Sequence, residues 1–441
     1  MRERAEGIWL VLSHAFNMDG RAASQTITDK MPHLCAQGIE PIVVSAVTGQ
    51  RDAKLEHHQL LPLSPVALRF DLRHVLRRRI RSQAVYRLAV GAMTLALLPF
   101  YLIEKLFVRL EPQWSWAFPA YWRGARLIRQ RGCSVIYSTG GANSAHWAGY
   151  LLARRFRLPW IAEVHDPMVF RPWEKSRMAY RFAHWLEGRI CQQADVAIWF
   201  TEAARDRARA RHPELGERGK VMIPGADRPD FARPDYRKGE HFVVAHFGSL
   251  APSRNLDVFL RGLSSLLARR PDLAATVRVH LYGGGVDAVS RQAIDALPDP
   301  RIVESFGRLE RDPATGESGR DRVLKKMNAA DCLLLLHGLE VHCEEYIPSK
   351  LYEYLWTQRP ILGLVWRNPQ MARILREQGH VAVDADDVEA VAAALEAFIE
   401  RWSRDALRDS GRGSPYSVGA AVSQMIGWAR EIEAKSAARS T

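Results

Sequence analysis

Short apolar runs alternate with amphipathic stretches along most of the chain. Ile8–Leu12 is followed by a polar turn at 13–21, then by Ala22–Gln37, whose apolar positions recur at helical spacing up to Gly38, then by Ile42–Val44. This predicts a β–α–β opening. The rhythm resumes with a helix over Trp122–Gln130, a strand over Val135–Tyr137, a helix over Ala145–Phe156 and a strand over Pro159–Val164. A long helix over Trp173–Gln193 and strands over Asp195–Phe200 and Val221–Ile223 close this half. Pro224, Gly225, Pro229, Pro234 and Gly239 mark residues 225–240 as a linker. A second series starts at His241–Phe247 and continues through Val277–Tyr282, Val303–Phe306, Ala330–Leu336 and Pro360–Val365. The expected fold class is α/β, with two Rossmann-like domains, 1–224 and 241–413, meeting at a cleft, and a C-terminal segment over 414–441.

Residues 67–110 break the rhythm. Leu68, Leu72, Val75, Leu76 and Ile80 share one helical face, and Arg69, Arg73, Arg77, Arg78, Arg79 and Arg81 crowd around it, a basic amphipathic pattern. Leu88–Ile103 then carries no charge and is interrupted by Pro99; Lys105, Arg109, Trp114 and Trp116 follow. A spanning helix needs about 20 apolar residues, more than this broken run offers. A span would also put Ile8 and Ile136, expected in one sheet, on opposite sides of a bilayer. Three readings stay open: an insertion resting on a membrane surface, a buried core helix and a true span. The first is the expectation.

Composition adds limits. A chain of 441 residues, 47% apolar and 25% charged, can bury the cores of two globular domains. The formal net charge of +13 calls for an anionic partner or surface. The arginine cluster lacks interleaved aromatics and an RNA motif, so nucleic acid is not the expected partner. Five cysteines, Cys35, Cys133, Cys191, Cys332 and Cys343, show neither CxxC nor Cys/His ligand spacing; no disulfide framework and no metal are expected, and a reducing cytoplasm fits. Met1–Gly7 leads into the first strand without an apolar signal core, so secretion is not expected. A GxGxxG fingerprint is missing, which removes the main support for an oxidoreductase. Asp384-Ala385-Asp386 directly precedes the amphipathic helix Val388–Phe398 and reads as capping and dipole pairing.

The densest candidate chemistry lies in Glu344-Glu345-Tyr346-Ile347-Pro348-Ser349-Lys350-Leu351-Tyr352-Glu353-Tyr354-Leu355. Pro348 stands where a helix begins, with Leu351, Tyr354 and Leu355 spaced to bury one side. Ser349, Lys350 and Glu353 then share a surface, where free N–H groups, the helix dipole and an ammonium converge on a site for an anion such as a diphosphate. The plainer alternative is a solvated face with an i,i+3 ion pair. Apolar strand candidates on both sides place this loop at the carboxyl end of a parallel strand.

Glu-x7-Glu followed by a Pro-bearing strand resembles the signature of retaining, nucleotide-sugar-dependent glycosyltransferases of GT-B fold, glycosyltransferase family 4 in particular. The Ile-Pro-Ser-Lys-Leu-Tyr-Glu-Tyr-Leu wording is similar to members that build bacterial surface polysaccharides. The resemblance implies that Glu345 contacts the donor sugar, Glu353 the ribose hydroxyls, and Lys350 with Ser349 the diphosphate. It extends to Gly248-Ser249-Leu250-Ala251-Pro252-Ser253-Arg254, similar to the family's glycine turn, and so implies a diphosphate-binding role for Arg254; Ser249 departs from the second Arg of many relatives. His165, at the end of its strand, matches a His that contacts the donor sugar, with a structural histidine bonded to Asp166 as the alternative. Gly307-Arg308-Leu309 matches a segment facing the nucleobase, which makes Arg308 and Leu309 base-site candidates. Asp19 and Gly20, in the loop after the first strand, are further candidates for ligand contact, because Gly lets backbone approach closely. In this fold the last helix, here Val418–Ile432, often packs back on the first domain.

The expected activity is therefore retaining sugar transfer from a nucleotide-sugar co-substrate, with no other cofactor, to a saccharide or polyprenyl-diphosphate-linked acceptor. The acceptor belongs to the first domain, and the expected location is the inner face of the cell membrane, in peripheral contact with anionic lipid. Two other classes stay open: a sugar-nucleotide epimerase of the same architecture, and a non-catalytic relative that binds an anionic glycolipid.

Overall fold

The computed structural model describes residues 7–18, 21–169, 176–230, 236–407 and 413–440, the side chains of 435–440 excepted. The chain divides into two compact units, Met1–Pro224 with Val418–Thr441, and Gly225–Ser417. Both are Rossmann-like.

The first unit runs β1 (Gly7–Leu12), α1 (Ala22–Thr28), α2 (Lys30–Ala36), β2 (Ile39–Ala46), β3 (Glu56–Leu60), α3 (Pro65–Arg79), α4 (Gln83–Phe107) and α5 (Ala117–Arg131). It continues with β4 (Val135–Thr139), α6 (Asn143–Phe156), β5 (Trp160–Val164), α7 (Arg177–Gln193), β6 (Val196–Trp199), α8 (Glu202–Arg211) and β7 (Gly219–Val221). Its sheet has the order β3-β2-β1-β4-β5-β6-β7, and all its pairings are parallel. Buried strands in such a sheet are apolar on both faces. Leu10, Leu12, Ile136 and Ala162 point to one side, and Trp9, Val11, Tyr137 and Ile161, offset by one residue, to the other. The second face would be half open without the chain's last helix, α15 (Val418–Ser440), whose Val418, Val422, Met425 and Ile426 pack into the cluster of Trp9, Val11 and Met31.

The second unit runs β8 (Phe242–Phe247), α9 (Asp257–Arg269), β9 (Val277–Tyr282), α10 (Ala288–Asp295), β10 (Val303–Gly307), α11 (Gly319–Ala329) and β11 (Cys332–Leu336). It ends with α12 (Lys350–Thr357), β12 (Ile361–Val365), α13 (Pro369–Glu377), β13 (Val381–Asp384) and α14 (Val388–Ser403). Its strand order, β10-β9-β8-β11-β12-β13, repeats that of the first unit up to β6. In each sheet the order reverses once, beside the first strand, and at such a switch the two neighbouring connections leave in opposite directions and open a crevice. The crevices lie at the carboxyl ends of β1 and β4, and of β8 and β11.

Several details differ from the sequence reading. The Ala22–Gln37 helix is two helices, broken at Asp29. β3, Glu-His-His-Gln-Leu, is an edge strand whose polarity hid it. The cap of α14 is Asp387, whose carboxylate accepts from Ala390 N at 2.9 Å; Asp384 ends β13 instead. Pro99 does not interrupt its helix: α4 runs through it for 25 residues, about 37 Å at 1.5 Å per residue. Only one main-chain bond is lost, because proline removes a single donor.

α4 is also not a core helix. Leu88, Leu95, Leu106 and Phe107 are 63–74% exposed, whereas Glu104 is buried. Glu104 holds the α3–α4 hairpin closed: its carboxylate accepts from Val66 N and from Trp114 Nε1, both at 2.9 Å. Two of the arginines on α3 bind α4, Arg69 through Thr94 and Arg77 through Gln83. At the hairpin's base Leu63, Phe100, Ile103, Phe107, Trp114 and Phe118 line an apolar cavity of about 380 Å³.

Candidate active site

The crevice of the second unit is built from two connections that bond to each other. After β8 the chain turns at Gly248, whose N–H donates to Tyr282 O at 2.8 Å. The turn after β9 presses on it: a Cβ on Gly283 would lie 1.9 Å from Gly248 O, so only glycine fits there. Ala251 and Arg254 exchange main-chain hydrogen bonds, and the Arg254 guanidinium donates back to Ser249 O at 3.0 Å. Ser253 O accepts from Leu339 N at 3.1 Å, which ties this turn to the connection leaving β11.

That second connection holds Glu345, buried at 6% exposure. Its neighbours fix it. His337 accepts from Trp366 N on Nδ1 at 3.0 Å, so the ring's other nitrogen carries the proton, and Nε2 donates to Tyr346 O at 3.1 Å. Burial pushes the His337 imidazole down to about 4, which keeps it neutral and in this role. Asn368 donates to both Glu344 O and Tyr346 O, at 3.1 and 3.0 Å. Burial raises the Tyr346 hydroxyl, and the Arg254 charge opposes that rise.

α12 follows from Pro348 and Ser349, whose carbonyls accept from Leu351 N and Tyr352 N. Leu351, Tyr354 and Leu355 are buried, and the Tyr354 hydroxyl accepts from Phe247 N at 3.0 Å, which locks the helix to the last residue of β8. Lys350 Nζ lies 2.5 Å from Glu353 Oε2, and Arg320 reaches the same carboxylate at 3.8 Å. The i,i+3 pair therefore forms, but not on a solvated face: the Glu353 side chain is 9% exposed.

Gly248, Ser249, Arg254, Glu345, Ser349, Lys350 and Glu353 thus gather around one switch point. Arg308 and Leu309 follow β10, two strands away along the same edge; Gly307 O accepts from Gly283 N at 2.9 Å, and Arg308 is exposed.

His165 belongs to the first unit, at the carboxyl end of β5. Asp19 and Gly20 lie outside the described residues. The ring of His165 stacks on Phe200 at 4.8 Å, and its Nε2 is 2.8 Å from Glu163 Oε1 and 2.9 Å from Thr139 Oγ1. Its partner among the described side chains is therefore Glu163 rather than Asp166. The sequence reading passed over Glu163, Lys30, His337 and Asn368. Glu163 had a signal, a charge in the middle of an apolar strand. The others had none in their own stretches.

Residues 24–225 match the family described as a glycosyl transferase 4-like domain. Solved structures align over nearly the whole chain. TarM gives a TM-score of 0.62 at 9% identity, with 96% of this chain and 98% of that one covered. Sucrose-phosphate synthase from Thermosynechococcus elongatus gives 0.59 at 14% identity, with 97% and 99% covered. A candidate UDP-N-acetylglucosamine 2-epimerase from Listeria monocytogenes gives 0.50 at 9% identity, with 97% and 96% covered. No curated protein matches the sequence.

Proposed function

We propose that this chain, a GT-B glycosyltransferase of the family 4-like kind, moves one sugar from a nucleotide-sugar donor to a saccharide or polyprenyl-diphosphate-linked acceptor, with retention, in the synthesis of a cell-surface polysaccharide or glycolipid. The observation that carries the reading is the convergence of Arg254, Lys350, the N-terminus of α12 and the buried Glu345 at the switch point of the second sheet. Breaking a glycosyl–phosphate bond asks for little covalent help. It asks for cations and N–H groups where charge builds on the departing diphosphate, and for a fixed sugar. Arg254 and Lys350 supply the charge. A diphosphate competes with Glu353 for the Lys350 ammonium, and ribose hydroxyls take up the carboxylate so released. Glu345 is left to bind the sugar, and a sugar contact is assigned to His165 in the first unit. With two side-chain cations on the diphosphate, transfer is expected to survive chelation of divalent metal.

The α3–α4 hairpin supports a lipid-linked acceptor and a place on the inner face of the cell membrane. α4 is long and apolar enough to cross a bilayer, but the hairpin begins and ends on the same buried carboxylate, Glu104, so both flanks stay on one side. Its exposed leucines then lie in the interface beside the arginines of α3. An epimerase would share the nucleotide site and leave this hairpin without a task.

The test is thermal shift with UDP, GDP and dTDP, followed by transfer of labelled sugar from the matching donor into an organic-extractable lipid fraction, with and without EDTA. One nucleoside diphosphate should raise the melting temperature. If none does, or if UDP-N-acetylglucosamine is turned over to its 2-epimer without acceptor, the transferase reading fails.

A further inference from the structure

β5 carries a carboxylate among apolar neighbours. The side chains of Glu163 and of Lys30, on α2, are both fully buried. Glu163 Oε2 accepts from Lys30 Nζ at 2.5 Å and from the Tyr137 hydroxyl at 2.7 Å; Oε1 faces His165 Nε2 at 2.8 Å and the Thr139 hydroxyl at 3.4 Å. Burial by itself raises the Glu163 carboxyl, but the Lys30 charge and the His165 hydrogen bond outweigh it and hold the group below the usual carboxylate range. Glu163 is thus ionised and can only accept. It follows that His165 Nε2 carries a proton and donates it to Oε1. Lys30 neutralises Glu163, so the pair brings no net charge to the ring, unlike the lone aspartate of a serine protease triad.

The ring has no room to turn. Phe200 stacks on one face, and on the Gly140 side a Cβ would lie 2.5 Å from His165 Cγ. Among the described residues Nδ1 has no hydrogen-bond partner, and 6% of the side chain stays exposed.

We propose that the Lys30–Glu163–Tyr137 cluster is a positioning device for His165: it fixes the Nε2–H tautomer and leaves Nδ1 as an acceptor for a hydroxyl of the bound sugar. Glu163 and Lys30 touch no substrate and act through the histidine. The sugar-facing half rests on the function proposed above; the tautomer does not.

Two measurements on the full chain test it. With ¹⁵N-labelled histidine, long-range ¹H–¹⁵N correlation should show the His165 ring, identified by its loss in His165→Asn, as the Nε2–H tautomer. Lys30→Met/Glu163→Gln strands neither charge, because it replaces the pair by uncharged groups of similar size, and should shift that ring to a mixture or to Nδ1–H. An Nδ1–H ring in the wild type overturns the proposal whether or not the variant folds, and so does an unchanged ring in the variant. The second measurement is the slow hydrolysis of UDP-glucose, UDP-N-acetylglucosamine and GDP-mannose without acceptor. The double variant should lose about 10- to 100-fold in kcat, as loss of the hydrogen-bond partners of metal-ligating histidines does, with a smaller change in KM and no further loss on adding His165→Asn. Losses that add overturn the positioning role. If His165→Asn hydrolyses the donor like the wild type, the sugar-facing half falls; the nucleotide thermal shift, read separately, then says whether the transferase reading falls with it.

Discussion

The two units share the winding β3-β2-β1-β4-β5-β6 and β10-β9-β8-β11-β12-β13, the first adding β7 at its edge, and differ most in one crossover. In each, the chain travels outward to an edge strand and then returns across the sheet to start the other side. In the second unit that return, residues 308–331, holds one helix, α11, which comes back beside α12. In the first unit the same return, residues 61–134, holds α3, the exposed α4, and α5. One winding can therefore stay compact at one return and carry a long exposed insertion at the other. The comparison predicts separable phenotypes: changes at the second unit's switch point alter nucleotide and sugar chemistry, and changes in the first unit's return alter membrane contact and stability.

The largest expected effect is that of Glu345→Ala. A buried loop carboxylate held by its neighbours' main chain acts on chemistry more than on packing, so transfer should be abolished while circular dichroism and membrane sedimentation stay as in the wild type. Near-normal turnover would take Glu345 out of the site.

Arg254→Ala comes next. Each charge-assisted contact with a diphosphate is worth roughly 1.5–3 kcal/mol, and binding of the free nucleoside diphosphate should weaken accordingly while nucleoside binding is little changed. Lys350→Ala should lose less, because its ammonium is already bonded to Glu353. Equal losses for nucleoside and nucleoside diphosphate in titration calorimetry would contradict the phosphate assignment.

The second unit's candidate site could be assembled from the sequence because its parts are local. Glu345, Lys350 and Glu353 fall within one short stretch, and a Pro followed by helical spacing announces the helix. The supports of that site could not: Asn368 and His337 reach the glutamate loop only after β12 has paired with β11. In the first unit, Lys30 meets Glu163 across 133 residues of chain, and no window of sequence contains that contact. The alternation of apolar runs announced most strands of both sheets, since buried parallel strands must be apolar on both faces, though not their order. It could not find β3, whose place at a sheet edge tolerates two histidines and a glutamine. It left α4 open between a surface-lying, a buried and a spanning helix, because apolar composition alone does not tell burial from exposure.

A smaller effect lies within the long return of the first unit. Asp71, on α3, is fully buried, and among the described residues neither carboxylate oxygen has a hydrogen-bond partner. Burial pushes its carboxyl up from 3.8 to about 7. The folded state then holds a proton that the unfolded chain has lost, so the contribution of Asp71 to stability is greatest below about pH 4 and falls as pH rises to about 7, by up to about 1.4 kcal/mol per pH unit. Asp71→Asn should remove that slope, and its melting temperature should overtake the wild type's progressively between pH 4 and 7, then hold a constant lead. A gap that ignores pH would mean Asp71 is paired.

The smallest expected effects are those of single arginines in the hairpin, and the structure decides which to change. Arg69 and Arg77 bind α4, and Arg78 donates to Gly49 O, so replacing any of them disturbs the hairpin as well as its charge. Arg79 and Arg81 are exposed and have no such contact among the described residues. Near an anionic surface each is worth about 1 kcal/mol, while the exposed leucines and phenylalanines of α4 contribute apolar burial that salt does not screen. Arg79→Gln/Arg81→Gln should therefore weaken sedimentation with anionic vesicles at low salt, flatten its salt dependence, and leave binding to neutral vesicles and to nucleotide unchanged. Leu95→Gln/Leu106→Gln should do the reverse, lowering binding to both kinds of vesicle at all salt concentrations. If the wild type stays in the supernatant with anionic vesicles at low salt, α4 is covered by protein instead, and the contrast between the two crossovers becomes one of assembly rather than of membrane contact.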